Sequence, residues 1–363
     1  MGRKMKFTLL VLMALMFVFP GCKKKKEAIA GKASVEDMLA MLPENPALVL
    51  SFDFHKFAAM DLFDKMISKK SETAGEEKKI FKDYPDFVAK TGIDLKKDVF
   101  CFTLALYGNL AAGSEPQGVG VVNLKYDPNK ILDLLKQNQM TLSQDAYNGI
   151  IVYSVKDSEQ KLVKNGKDFR FAFLNGSNIA LGTPDQVKMA IDLSKGKGVS
   201  ARKSKALDAC LEKIDRNAMF WMALTTMPES VKNQSKAGGM FPVDLSKAES
   251  FLGFIDYRDK ALSVEFQLIS RNEPGNKQLA DTLNGFKAIG AMGLGKDPKN
   301  AEFGELLNSI VITASADSLK LKLAISEQLM NKLGEKAKST AENYMKKPAA
   351  EVGEPKAPAE TEK

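Results

Sequence analysis

Residues 98–108, DVFCFTLALYG, and residues 118–126, GVGVVNLKY, are two apolar runs divided by a polar, glycine-containing connection. Each has the length and the β-branched and aromatic content of a strand. Asp127-Pro128 then opens NKILDLLKQNQM (129–140), an amphipathic helix. Proline costs little there, because the N–H it lacks would have no partner in a first helical turn. Two strands followed by a helix is therefore the unit from which the rest of the chain is read.

The unit recurs. GIIVYSVK (149–156) and FRFAFLNGSNIALG (169–182) are followed by the helix PDQVKMAIDLSKG (184–196) after Thr183. Within the second run Asn175-Gly176 is a hairpin turn signal, since both residues tolerate positive φ. Upstream, LPENP introduces ALVLSFDF (47–54), in which Leu48, Leu50, Phe52 and Phe54 alternate as in a half-buried strand. Phe57, Met60, Phe63 and Ile67 then recur at helical spacing, and a second helix, residues 76–92, stops at Gly92. Downstream come a helix over 203–214 and the strand AMFWMALTT (218–226). Residues 250–270 form a hairpin turning at Arg258-Asp259-Lys260, followed by a helix over 276–293. Residues 306–326 form a hairpin turning at Ala316-Asp317, before a closing helix over 327–345.

These units predict an α+β protein, with antiparallel sheets and helices packed on one face. The predicted divisions are residues 1–21 as a signal peptide and 22–41 as a lipid-bearing basic tether. An N-terminal domain over 42–226 and a C-terminal domain over 250–345 flank a junction, 227–249, that mixes Pro, Gly, Ser and charge. The tail 346–363 has too little apolar surface to fold.

The N-terminus carries Arg3, Lys4 and Lys6, then thirteen uncharged residues, FTLLVLMALMFVF (7–19), then FPGC (19–22) and four lysines. The apolar run is short of the roughly 20 residues that span a bilayer, and its layout is that of a secretory signal. FPGC resembles the lipobox of bacterial lipoproteins, with Gly21-Cys22 its best-matching part and Phe19-Pro20 a departure from the usual Leu and small residue. The resemblance implies a diacylglyceryl group on the Cys22 thiol and cleavage just before it. Cleavage elsewhere and a short uncleaved anchor are the alternatives. Lys23, Lys24, Lys25 and Lys26 would add about 1 kcal/mol each near anionic headgroups, or simply serve as a solvated leader. Lys23 stands where, in some bacteria, an aspartate resembles an inner-membrane retention signal. The expectation is therefore the outer membrane, facing the periplasm, with the inner membrane the alternative.

The net charge is +8, but the leader carries most of it and leaves the body near neutral. A basic balance so placed does not predict nucleic-acid binding. Cys101 and Cys210 sit in apolar contexts and are expected as buried thiols, a disulfide between them being the alternative in an oxidising envelope. One histidine in the whole chain removes most triads and multi-histidine metal sites. GAMGLGKD (290–297) matches GxxxxGK but has Asp297 where a phosphate-binding loop needs Ser or Thr, and it follows helix rather than strand. Neither nucleotide nor cofactor is expected. His55 near Asp53 is the one candidate base, read first as a strand-to-helix corner. Asp61 and Asp64 read as solvated surface. No catalytic residue and no metal ligand is assigned.

Two further features invite binding. Lys195, Lys197, Arg202, Lys203 and Lys205 gather in one glycine-containing loop, either an anion contact or a solubilising surface. Met219, Phe220, Trp221 and Met222 make the richest apolar strand, either core or the wall of a hydrophobic groove. LPENPALVLSFDFHKF and the stretch from Ala180 to Leu224 resemble uncharacterised exported bacterial proteins built of repeated strand–helix units. The expected function is a membrane-anchored envelope module without catalysis, with a partner protein or ligand of its own. A carrier of lipid or another hydrophobic ligand, in a cavity between sheet and helices, is the alternative.

Overall fold

The computed structural model describes residues 31–61, 63–64, 84–110, 115–138, 140–156, 169–234, 245–295 and 300–346. Within them lies one antiparallel sheet of twelve strands, in the order β11-β12-β10-β9-β8-β1-β2-β3-β7-β6-β5-β4. The strands are β1 (Leu48–Asp53), β2 (Val99–Tyr107), β3 (Gln117–Leu124), β4 (Thr141–Tyr147), β5 (Ile150–Lys156), β6 (Phe169–Phe173), β7 (Asn178–Gly182), β8 (Phe220–Leu224), β9 (Ala248–Arg258), β10 (Ala261–Ser270), β11 (Ile310–Ala314) and β12 (Ser318–Ser326). The helices are α1 (Val35–Ala40), α2 (Phe54–Ala58), α3 (Tyr84–Thr91), α4 (Leu95–Asp98), α5 (Pro128–Gln137), α6 (Pro184–Ser194), α7 (Lys205–Leu211), α8 (Glu229–Gln234), α9 (Glu273–Gly295), α10 (Ala301–Asn308) and α11 (Glu327–Lys346). This is the α+β class that the strand–strand–helix reading predicts.

Pairing is continuous across the chain's midpoint. β8 pairs with β1 on one side and β9 on the other, so Phe52, Phe220 and Ile255 stand in one row across three strands. The hairpins turn where the sequence predicts. Asn175-Gly176 lies between β6 and β7, and Asp259 (φ 54°) and Lys260 (φ 60°) take the left-handed turn between β9 and β10. That conformation matches the right-handed twist of the strands it joins. Gly92, at φ 71°, ends α3 as expected.

The second unit holds more than the sequence reading gives it. β4, TLSQDAY, joins β5 through Asn148 (φ 47°) and Gly149 (φ 73°). β4 is an edge strand with mostly exposed residues and no apolar alternation, so hydrophobic pattern alone passes over it. α1 is also absent from the sequence reading. Ser34 caps it, accepting from the Asp37 N–H at 3.1 Å, while the Asp37 carboxylate accepts from the Ser34 N–H at 3.0 Å. This reciprocal pair satisfies two of the amide groups that a helix start otherwise leaves open.

The helices divide unevenly between the two faces. On one face α1, α6 and α7 cover Val49, Ala105, Val119, Ala172, Ala180 and Trp221, where small strand residues let the helices approach. On the other, α2, α4 and α5 pack over Phe52, Leu124, Tyr153 and Phe171, and α11 over Leu262 and Val264. The single covered face expected from sequence therefore holds only in the C-terminal third. Cys101 and Cys210 are buried free thiols.

Candidate functional site

Two places on the sheet stand out, one polar and one apolar. The polar one begins where β1 ends. Asp53 faces Cys101 across the β1–β2 pair, Cys101 faces Asn123, and Asn123 faces Asn178 on β7. Four adjacent strands thus place a carboxylate, a thiol and two amides in one row. Hydrogen bonds link its amide half. Asn123 Nδ2 donates to Asn178 Oδ1 at 2.9 Å and to the Ser177 carbonyl at 3.2 Å, and Asn178 Nδ2 donates to Asn175 Oδ1 at 3.2 Å. Burial first, and then the Asp53 carboxylate, push the Cys101 thiol up to about 12, so it stays protonated at neutral pH.

The N-terminal segment closes over this row. Gly31 lies against the ring of the fully buried Phe100, and Lys32 ion-pairs with Asp53. The Ala33 N–H donates to Asn123 Oδ1 at 2.8 Å, and Ser34 starts α1. Asp53 is occupied on both sides, because its other oxygen accepts the Lys56 N–H at 3.0 Å and so caps α2. A carboxylate committed to a lysine and a helix cap is poorly placed to act as a base. His55, the neighbouring candidate, has its Nδ1 buried without a hydrogen-bond partner.

A second charged group lies at the same end of the sheet. The buried Asp256 accepts the Met219 N–H at 2.9 Å and pairs with Lys56 and Arg258. Arg258 also reaches Asp215 at 2.6 Å. Burial works to raise the Asp215 carboxyl, but the Asn217 N–H and Arg258 outweigh it and hold it below the ordinary carboxylate range.

The apolar place lies on the face opposite α1, α6 and α7. Leu106, Leu48, Leu224, Phe251 and Leu268 stand side by side on β2, β1, β8, β9 and β10. Leu104, Leu50 and Met222 form the next row. All eight are half-buried, and none joins the four buried clusters beneath the helices. Glycines keep this strip low. The Phe266 ring lies over Gly253 and the Phe102 ring over Gly120, where an added Cβ would come within 2.4 and 2.6 Å of ring carbon. The strip is a sheet surface five strands wide that presents hydrocarbon at partial exposure.

Most of the residues singled out from sequence do not converge. Cys22 and Lys23 to Lys26 lie outside the described residues. In the basic loop Lys195 reaches the Asn148 carbonyl, while Arg202 pairs with Glu36 on α1, which Arg216 shares at 2.5 Å. Lys197, Lys203 and Lys205 are exposed. Asp64 pairs with Lys96, and Asp61 is exposed. Trp221 is buried at 1 % exposure in the core rather than in a groove wall. Residues 290–295 continue α9, without the loop whose successive N–H groups cradle a phosphate. Among the described residues no cluster of three His, Cys, Asp or Glu is placed to hold a metal, and no helix is long and apolar enough to cross a membrane. The seat of residues 31–34 was missed from sequence, and of the apolar strip only Met222 was singled out, since each is a row across strands distant in the chain.

The fold and these two places define an α+β protein on a single broad antiparallel sheet, with its N-terminal segment seated upon it. No protein-family model matches the chain, and no curated protein matches it in sequence. Among solved structures it is similar to TP0453, a Treponema protein, in several crystal forms. Form III has a TM-score of 0.45 at 11% identity, covering 83% of this chain and 98% of that one. Form I has a TM-score of 0.43 at 12% identity, covering 84% and 99%. Form IV has a TM-score of 0.42 at 12% identity, covering 82% and 96%.

Proposed function

We propose that the protein is a lipid-anchored envelope lipoprotein whose body is a non-catalytic binding module, attached through Cys22 to the periplasmic side of the outer membrane. The observation that carries this reading is the seam FVFPGCKKKK, where an apolar run ends at a cysteine followed at once by four lysines. One acyl chain holds a protein only marginally, whereas several chains, or a chain with basic residues, hold it stably. The seam supplies both. The near-neutral charge of the rest of the chain leaves the leader as the main electrostatic attraction to a membrane. The non-catalytic reading draws on the single histidine and on the commitment of Asp53 to Lys32 and to its helix cap.

Mass spectrometry of the N-terminal peptide from membranes tests this directly. The expected result is a mature chain beginning at Cys22 with a diacylglyceryl mass on it. The Cys22→Ser variant is expected to leave the membrane fraction and to lose detergent-phase partitioning. Unchanged processing and fractionation in that variant would overturn the reading.

The apolar strip favours a second reading, a carrier of lipid or another hydrophobic ligand. Eight half-buried large side chains in two registered rows offer the floor such a ligand needs. Apolar molecules are then expected to co-purify with the protein from cells and to fall several-fold in Leu104→Gln/Met222→Gln. Protein that arrives without them sinks this reading and leaves the first intact.

A further inference from the structure

We infer that the seat of residues 31–34 orients the body on the membrane, with the end of the sheet that carries Asp53 and the start of β8 turned toward the lipid. The inference rests on the anchor proposed at Cys22 and adds a direction to it.

The argument is one of lengths. Eight residues separate Cys22 from Gly31, and nine extended steps reach at most ~30 Å. Were Lys23 to Lys26 drawn to anionic headgroups, only five steps would remain between the surface and the seat, ~17 Å. β10 has ten residues, or ~33 Å at the usual rise per residue. So held, the leash is about half the length of the strands it would otherwise let swing, and even at full reach it does not exceed them. A free segment would swivel at its junction with the body. This one is fixed at successive residues, by Gly31 on Phe100, Lys32 on Asp53 and the Ala33 N–H on Asn123 Oδ1. Asn123 is itself 1 % exposed and tied to Asn178, so the seat is rigid at the sheet side.

Register says which parts share that end. The Asp53 N–H donates to the Met219 carbonyl, and Lys56 reaches the Asn217 carbonyl, so the loop entering β8 lies beside the seat. The other end of β8 runs out at Thr226, past Leu224, which pairs with the first residue of β1. Asn217 precedes β8 and Thr226 follows it, and both are exposed, so they flank the two ends of a five-residue strand ~17 Å long.

The test attaches one thiol-reactive fluorophore to Asn217→Cys or to Thr226→Cys in the natively lipidated full chain. Cys101 and Cys210 are buried and do not compete. Vesicles of phosphatidylethanolamine and phosphatidylglycerol carry a headgroup-linked quencher. Quenching at least twofold stronger at position 217 than at 226 is expected, with the difference lost in Lys32→Ala/Ala33→Pro, which removes the ion pair and the N–H. Equal or reversed quenching overturns the orientation, and so does a difference that persists in the unseated variant. The same preparations are checked for lipid on Cys22 by mass. Bare Cys22 brings down the anchor and the orientation together, whereas lipid on Cys22 with equal quenching brings down the orientation alone.

Discussion

The N-terminal and C-terminal parts of the sheet use the same antiparallel geometry and meet solvent differently. β2, VFCFTLALY, is buried or half-buried at every position, with α1, α6 and α7 over one face and the other covered at Val99 but carrying Leu104 and Leu106 of the apolar strip. β12, SLKLKLAIS, lies on α11 through Leu323 and Ile325, while Lys320 and Lys322 on its other face pair with Glu265 at 3.0 and 3.1 Å. Trp221 on β8 and Val311 on β11 make the contrast plain. Both point to the α1 side of the sheet, yet Trp221 is 1 % exposed and Val311 53 %. The same sheet face is core at one end and surface at the other, because the core under α1, α6 and α7 extends no farther than Leu252 on β9 and Ile269 at the end of β10. Side-chain chemistry follows the cover rather than the strand.

That contrast can be broken at graded cost. Trp221→Ala removes the largest fully buried side chain under α1 and α7 and should cost ~3–5 kcal/mol in chemical denaturation. A loss under 1 kcal/mol would mean that this face is not packed as described. Next, Ser51 and Thr103 share a buried hydroxyl contact of 3.0 Å. Thr103→Val alone should cost ~1–3 kcal/mol by stranding the Ser51 hydroxyl, while Ser51→Ala/Thr103→Val should recover much of it. A strictly additive double variant would refute the pairing.

The buried row makes a pH prediction with a definite sign. The Cys101 thiol is pushed up to about 12 in the folded chain, against ~8.5 when exposed. Its contribution to stability is whole below the unfolded value and is lost as pH rises from there toward the folded one. Stability of the native chain should therefore decline more steeply above pH ~8.5 than that of Cys101→Ala, and alkylation of Cys101 should require unfolding. Equal slopes would remove the thiol from the account.

The charged face of the C-terminal part should respond least. Glu265→Gln breaks both lysine pairs and is expected to cost at most ~1 kcal/mol, less in high salt. Val311→Ala should lie within ~0.5 kcal/mol of the native chain. Thermal melts that place Val311→Ala beside Trp221→Ala would erase the distinction between the two ends.

Much of the fold was legible because it is local. The hairpin turns at Asn175-Gly176 and at Asp259-Lys260, the Pro128 and Pro184 helix starts and the Gly92 stop each depend on a few neighbouring residues. α1 was legible in principle through Ser34 and Asp37, but the basic leader drew the segment into a tether reading. β4 was not, since an edge strand needs no apolar face to be held by its neighbour's backbone. The seat was out of reach for another reason. Asp53, Cys101, Asn123 and Asn178 are ordinary residues at scattered positions, and only register sets them in a row.

Most of the order of strands and helices, the α+β class and the oil-to-charge pattern of the leader were written into the chain, for periodicity, turn residues and charge runs act over short spans. Which strands are covered twice, which apolar side chains stay half-buried, and where the N-terminal segment comes to rest were settled by tertiary structure. Burial is a property of what lies on top. A residue's own neighbours in sequence do not carry that information.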